Sequence, residues 1–266
     1  MFKYSNTFQI YKNLIVQLPS INFYIEKIKK DNLKFIKINH AFWDLLAGDG
    51  RILKSYVALH DKQLIKEDFE IIKKIHKTNI IFAVNPKGGP INTKEQILDS
   101  NQRLIKSSNT LLNIIPKNFI PHHAGVWKIE SRKNNLVSFF ETINRYEVVI
   151  VGLQHLSEIK HTCKIENFKH YVLNMKSSLK ENRYKVLDDL TSLCQGLNKK
   201  VILLQAGDLL ATWLVYNLAV EKQVQNCSVI DMGRSLDFYC PNRTLSTQDA
   251  LIADKIHILK DFHYLP

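Results

Sequence analysis

The feature that most limits what this chain can fold into is the strand–turn–helix–strand order of its last third. Val201-Ile-Leu-Leu-Gln-Ala-Gly-Asp208 is an apolar run with its breaker, Gly207, at the carboxyl end. A helical pattern follows from Leu209 to Glu221, and a second apolar run leads into Asp231-Met-Gly-Arg-Ser-Leu-Asp237. The first junction is a βα turn whose helix N-terminus presents free N–H groups, a natural seat for phosphate. Gly207, Asp208, Asp231, Gly233 and Arg234 therefore collect at one edge of a parallel sheet. Ligands bind along that edge in open α/β folds.

The rest of the chain alternates in the same way. Leu33 to Ile38 reads as a strand, and a helical segment runs from about His40 to Ala47. Asp61 to Thr78 places Leu64, Ile65, Phe69, Ile71, Ile72 and Ile75 at the spacing of an amphipathic helix. Ile80 to Val84 is a short buried strand, broken by Asn85-Pro-Lys-Gly-Gly-Pro90. Thr93 and Gln96 form a capping box that opens a helix to about Ser107. Ser108 to Arg132, with Pro116, Pro121 and Gly125, reads as irregular and contains His122-His123. Leu136 to Tyr146 and Asn182 to Leu197 read as helices, Val148 to Gly152 and His170 to Leu173 as strands. The expectation is one α/β domain over residues 1–266, a mostly parallel sheet with helices on both faces, its end from Ser246 onward wrapping the surface.

Composition narrows the function classes. No run approaches the roughly 18 apolar residues that span a bilayer. Polar residues from Lys3 to Asn13 interrupt the opening segment, which therefore lacks the apolar core of a secretory signal. A cytoplasmic location is expected. The four cysteines, Cys163, Cys194, Cys227 and Cys240, stand far apart with no CxxC pair, so neither a disulfide framework nor a zinc knuckle is indicated. A net charge of +12 favours anionic partners: nucleotide phosphates, nucleic acid or an acidic lipid surface. The basic residues are spread out in a chain rich in Lys, Ile and Asn, which also fits a mere compositional bias.

Several constellations carry chemistry, each beside a plainer reading. Gly152 follows Val148-Val-Ile-Val, with Gln154 and His155 next; His155 either caps the turn or faces a ligand. Asp231, Arg234 and Asp237 share one short loop. There an Arg suits bidentate pairing with a diphosphate and carboxylates suit ribose hydroxyls, a sugar or a metal, or else Asp231 caps a turn and Arg234 pairs with it. GxGxxG and GxxxxGK[ST] are both absent, so neither an NAD enzyme nor a Walker-type ATPase is supported. His122 and His123 are adjacent, so their side chains do not share a metal.

Val201 to Thr212, the Ile-Asp-x-Gly-x-x-x-Asp pattern from Ile230 to Asp237, and Val149-Ile-Val-Gly-Leu-Gln-His-Leu156 resemble the bacterial glycosyltransferases of the GT-D type. That resemblance covers about two thirds of the chain and implies a Rossmann-like fold, a nucleotide-sugar donor and a glycan or lipid-linked acceptor in surface polysaccharide synthesis. The family carries an Arg-Phe-Gly-Asp-Gly-Glu type stretch after its first strand, whose carboxylates hold a divalent metal, Mn²⁺ or Mg²⁺. Here the equivalent place is Lys37-Ile-Asn-His-Ala-Phe-Trp43, with His40 and Phe42 where the acidic residues stand.

Three readings of that divergence stay open. Asp44 or Asp49 substitutes as ligand; Lys37 and Arg234 offset the diphosphate charge without metal; or the fold persists with the activity lost. Residue by residue the resemblance carries over to Gly207, Asp231, Gly233 and Asp237. Within the reaction class it implies, His40 or Asp44, and after them His155, are the expected base, and Lys37, Asn39, Gly152, Asp208 and Arg234 are expected to join those four in binding substrate. Peripheral contact with the anionic inner membrane face would suit a lipid-linked acceptor. The rivals are a non-catalytic sugar-nucleotide-binding or scaffold protein and a basic nucleic-acid-binding protein; no RNP, helix-turn-helix or zinc-finger signature supports the latter.

Overall fold

Unbroken apolar runs such as Val148–Val151 and Val201–Leu204 become strands buried on both faces, each lying between two neighbours inside one sheet. The computed structural model describes residues 7–11, 14–38, 62–84, 109, 111–133, 135–174 and 182–241. The helices expected near residues 40–47 and 93–107, the 85–90 loop and the segment from Ser246 lie outside the described residues.

In chain order the elements are β1 (Thr7–Tyr11), β2 (Leu14–Leu18), α1 (Ile21–Asp31), β3 (Lys34–Ile38), α2 (Lys62–Lys74) and β4 (Ile81–Val84). There follow β5 (His122–His123), α3 (Val126–Arg132), α4 (Val137–Ile143), β6 (Glu147–Gly152) and β7 (Phe168–Val172). The last are α5 (Arg183–Cys194), β8 (Lys200–Leu204), α6 (Asp208–Tyr216), β9 (Cys227–Asp231) and a 3₁₀ turn, Gly233–Tyr239. The strand order is β1-β2-β5-β4-β3-β9-β8-β6-β7. Only β1 runs antiparallel to its neighbour, so the sheet is mostly parallel and Rossmann-like.

Side chains alternate across each strand, and the two faces feed two cores. Val149, Val151, Ile202, Leu204 and Val229 pack with α2, α5 and α6. Val148, Ile150, Val201, Leu203 and Ile230 pack with α1, α3, α4 and the turn after β9. Parallel crossovers are right-handed, so steps in opposite directions along the sheet must cover opposite faces. The steps β3 to β4, β7 to β8 and β8 to β9 run one way and carry α2, α5 and α6. The steps β2 to β3, β5 to β6 and β6 to β7 run the other way and carry α1, α3, α4 and residues 154–162. The chain thus leaves β6 and β9 on one side of the sheet and β8 on the other. A change of side between neighbouring strands opens a crevice at their carboxyl ends.

The structure adds elements that the sequence reading did not contain. The β1–β2 hairpin extends one edge, and the two-residue strand β5 lies between β2 and β4 inside the stretch expected to be irregular. Helix α1 buries Ile21, Tyr24, Ile25 and Ile28, a spacing that marks one helical face. Helix α3 occupies the end of the same stretch, placing Trp127 among Tyr24, Phe35 and Phe139 in edge-on and tilted contacts. The expected helix from Leu209 to Glu221 is α-helical only to Tyr216, and Asn217–Glu221 is a π turn.

Candidate functional site at the carboxyl edge of the sheet

Strand β9 ends at Asp231, whose Oδ1 accepts a 2.9 Å hydrogen bond from the Gly233 N–H. This local ring lets the chain reverse without an unsatisfied donor. Gly233 has φ +52°, and a Cβ there would run into the Lys37 amine and its neighbouring methylene. A side chain here would sit in a left-handed backbone conformation that favours glycine and would displace the end of Lys37. Lys37, at the carboxyl end of β3, is buried, and its packing on Gly233 joins the ends of β3 and β9.

The turn after Gly233 is held from below. Ser235 through Cys240 are buried, and Tyr239 meets Phe140 edge-on with ring centroids 4.9 Å apart. This anchoring fixes Asp237, which is only 2% exposed. Its Oδ1 accepts from Gln205 Nε2 at 2.7 Å and from His155 Nε2 at 2.9 Å, and its Oδ2 accepts from Arg234 Nε at 3.0 Å. His155 follows β6, Gln205 follows β8, and Asp237 follows β9, so three strand ends converge on one carboxylate. Burial alone would raise the Asp237 carboxyl, but the bonds from Gln205, His155 and Arg234 outweigh it and hold it below the usual range.

An ionised carboxylate only accepts, so the His155 proton sits on Nε2 and the lone pair on Nδ1. Among the described residues no hydrogen bond occupies Nδ1, and the His155 side chain is 17% exposed. The arrangement therefore orients an imidazole with a basic nitrogen left available. The Arg234 side chain is 65% exposed, with one nitrogen spent on Asp237, so its remaining N–H groups face outward. Gly152, at the end of β6, has no room for a side chain: a Cβ would lie 3.0 Å from the Gln205 carbonyl. Gly207 has φ +77° and turns the chain from β8 into α6, which begins at Asp208.

Of the residues singled out from sequence, Lys37, Asp231 and Gly233 thus form one contact set, and Gly152, His155, Arg234 and Asp237 a second, linked through the 231–237 turn. Gly207 and Asp208 open α6 two residues beyond Gln205. Asn39, His40, Asp44 and Asp49 lie outside the described residues. His122 and His123 form β5, where His122 Nδ1 lies 2.9 Å from the Tyr24 hydroxyl, so the pair is part of the sheet.

No family model, curated protein or solved structure matches this chain.

Two members of the site were not singled out beforehand. Gln205 was visible as the first polar residue after Val201–Leu204, but its partner lies 32 positions away. His170, on β7, lies beside the backbone of Gly152 and Leu153; burial, with help from His155, outweighs the pull of that backbone and holds its imidazole below the ordinary value. A strand histidine carries no mark of this in sequence. Among the described residues no group of three or more His, Cys, Asp or Glu converges as a metal site. Asp237 accepts hydrogen bonds on both oxygens, and Asp231 accepts one on Oδ1 from its own turn. No helix among the described residues is long and apolar enough to cross a membrane.

Proposed function

We propose that this chain is a glycosyltransferase that moves a sugar from a nucleotide-activated donor to a hydroxyl of a glycan or lipid-linked acceptor, in surface polysaccharide synthesis. The observation that carries the reading is the buried Asp237 carboxylate orienting His155 at the carboxyl ends of β6, β8 and β9. Support comes also from the resemblance of the Val149–Leu156, Val201–Thr212 and Ile230–Asp237 segments to GT-D type enzymes.

In this reading His155 Nδ1 takes the proton of the acceptor hydroxyl as its oxygen attacks the sugar, and the nucleoside diphosphate departs. Asp237 acts through His155, keeping the tautomer and steadying the imidazolium that forms. The outward N–H groups of Arg234 pair with the diphosphate, and the turn at Gly207 brings the α6 N-terminus to it. Asp44 and Asp49, the residues that would hold a divalent metal at the diphosphate, lie outside the described residues. The net charge of +12 favours an anionic donor and an acceptor held at an anionic membrane face.

A thermal-shift screen of nucleotide sugars, with and without Mn²⁺, tests this. A donor at about 100 times its Kd stabilises the fold by roughly 2.7 kcal/mol, a rise of about 5–10 °C for a chain of this size. A shift given by one nucleotide class and enhanced or not by Mn²⁺ supports the reading and fixes the metal requirement. Identical melting with every nucleotide sugar, in both conditions, removes it.

A further inference from the structure

At the opposite edge of the sheet, two cysteines that the proposed chemistry does not use meet inside the core. Cys194 ends α5 and Cys227 begins β9, and their sulfurs lie 3.2 Å apart although the residues are 33 positions apart in sequence. Both are buried. Two cations flank them. Lys34 Nζ donates to the Cys227 carbonyl, and Lys200 Nζ donates to the Gln195 carbonyl at 3.0 Å, next to Cys194. The hydrogen bond with Cys227 lowers the Cys194 thiol against its burial, helped by Lys34 and Lys200; that bond and burial together push Cys227 up. One sulfur is thus the readier nucleophile and its neighbour the proton holder, the division of labour found in reactive thiol pairs.

We propose that Cys194 and Cys227 are an oxidation site, a dithiol that closes to a disulfide when the protein meets hydrogen peroxide. The Cys194 thiolate attacks a peroxide oxygen, the O–O bond breaks, and the sulfur becomes a sulfenic acid as hydroxide leaves and takes up a proton. The Cys227 sulfur then attacks Cys194 Sγ, forming the S–S bond and breaking S–O, while its own proton leaves with the departing hydroxyl as water. Two thiols and one peroxide give one disulfide and two waters, so the cysteines lose two electrons and the peroxide gains them. Peroxide suits a buried pair because it is barely larger than water. The sulfurs need close only about one ångström to reach bonding distance. The bond would staple α5 to β9 around β8 and α6, the segment that carries Gln205 and Gly207.

The experiment treats the reduced full-length protein with hydrogen peroxide, blocks free thiols by alkylation, and maps unreduced tryptic peptides by mass spectrometry. The expected product joins the Cys194 peptide to the Cys227 peptide with loss of two hydrogens. Because the closed loop is long, melting should rise by about 5–10 °C and fall back on reduction. C194S and C227S each lose the linked peptide and the shift, while a C163S/C240S double variant keeps both. Should either serine variant fail to fold, the wild-type peptide map decides alone. Recovery of Cys194 and Cys227 as separately alkylated or over-oxidised residues, with no linked peptide, overturns the proposal.

Discussion

Replacing Asp237 by alanine should lower the stability of the fold by about 3 kcal/mol and its melting temperature by roughly 6–12 °C, checked by calorimetry. The side chain is 2% exposed and accepts from two partners that are themselves largely enclosed, Gln205 and His155. Removing it strands two donors away from water, and that desolvation cost exceeds the worth of the bonds themselves. Arg234 adds little to this figure, since its side chain is 65% exposed and well screened. The same carboxylate gives an acid signature. Its folded-state pKa is depressed, so the folded state binds fewer protons than the unfolded chain. Its contribution is present above the unfolded carboxyl value of about 4 and is lost as pH falls through the folded value. Asp237→Asn should flatten this part of the acid unfolding curve; an unaltered acid limb would mean that the carboxylate is not held as described.

The second large effect concerns rate. His155→Ala should reduce turnover of the nucleotide sugar by about 10²–10⁴-fold, measured by release of nucleoside diphosphate in the presence of glycoside and lipid acceptors. A merely structural role predicts otherwise, because only loss of a base removes the low-pH limb of the kcat/KM profile while donor affinity stays within a few fold. His155→Ala retaining both the limb and the rate would shift the role of base to residues outside those described, His40 or Asp44.

How the sequence maps onto this structure follows from the physics of each element. Val148–Val151 and Val201–Leu204 are readable as strands because burial on both faces demands uninterrupted apolar residues, and both lie inside the sheet, as does Leu33–Ile38, whose apolar residues are interrupted by Lys34 and Lys37. The amphipathic α2 was readable for the complementary reason: Leu64, Ile71 and Ile72 fall on one face and are buried, as is Ile75 in the 3₁₀ turn that follows. The edges were harder. β5 is two histidines, too short to show any period, and takes its conformation from pairing with β2 and β4. Helix α1 did carry a signal, Ile21, Tyr24, Ile25 and Ile28, in a stretch to which the sequence reading assigned no element.

The site divides along the same line. The spacing of Asp231, Gly233, Arg234 and Asp237 within one loop is local, and it marks the sheet edge in the sequence itself. That Asp237 would face His155 across 82 positions is a product of the crossovers and could not be read from spacing. Nor could the burial of Lys37 against Gly233, which depends on β3 and β9 becoming neighbours.

The most direct test of the central claim is a calorimetric titration of the nucleotide sugar selected by thermal shift into wild type and Arg234→Ala. Wild type should bind saturably. The variant should bind at least about tenfold more weakly, about 1.4 kcal/mol, for loss of one charge-assisted contact with the diphosphate. Its melting temperature should stay within a degree or two of wild type, because Arg234 is mostly exposed. Equal affinity in both proteins, or no saturable heat with wild type, would contradict a nucleotide-sugar site at the carboxyl ends of β6, β8 and β9.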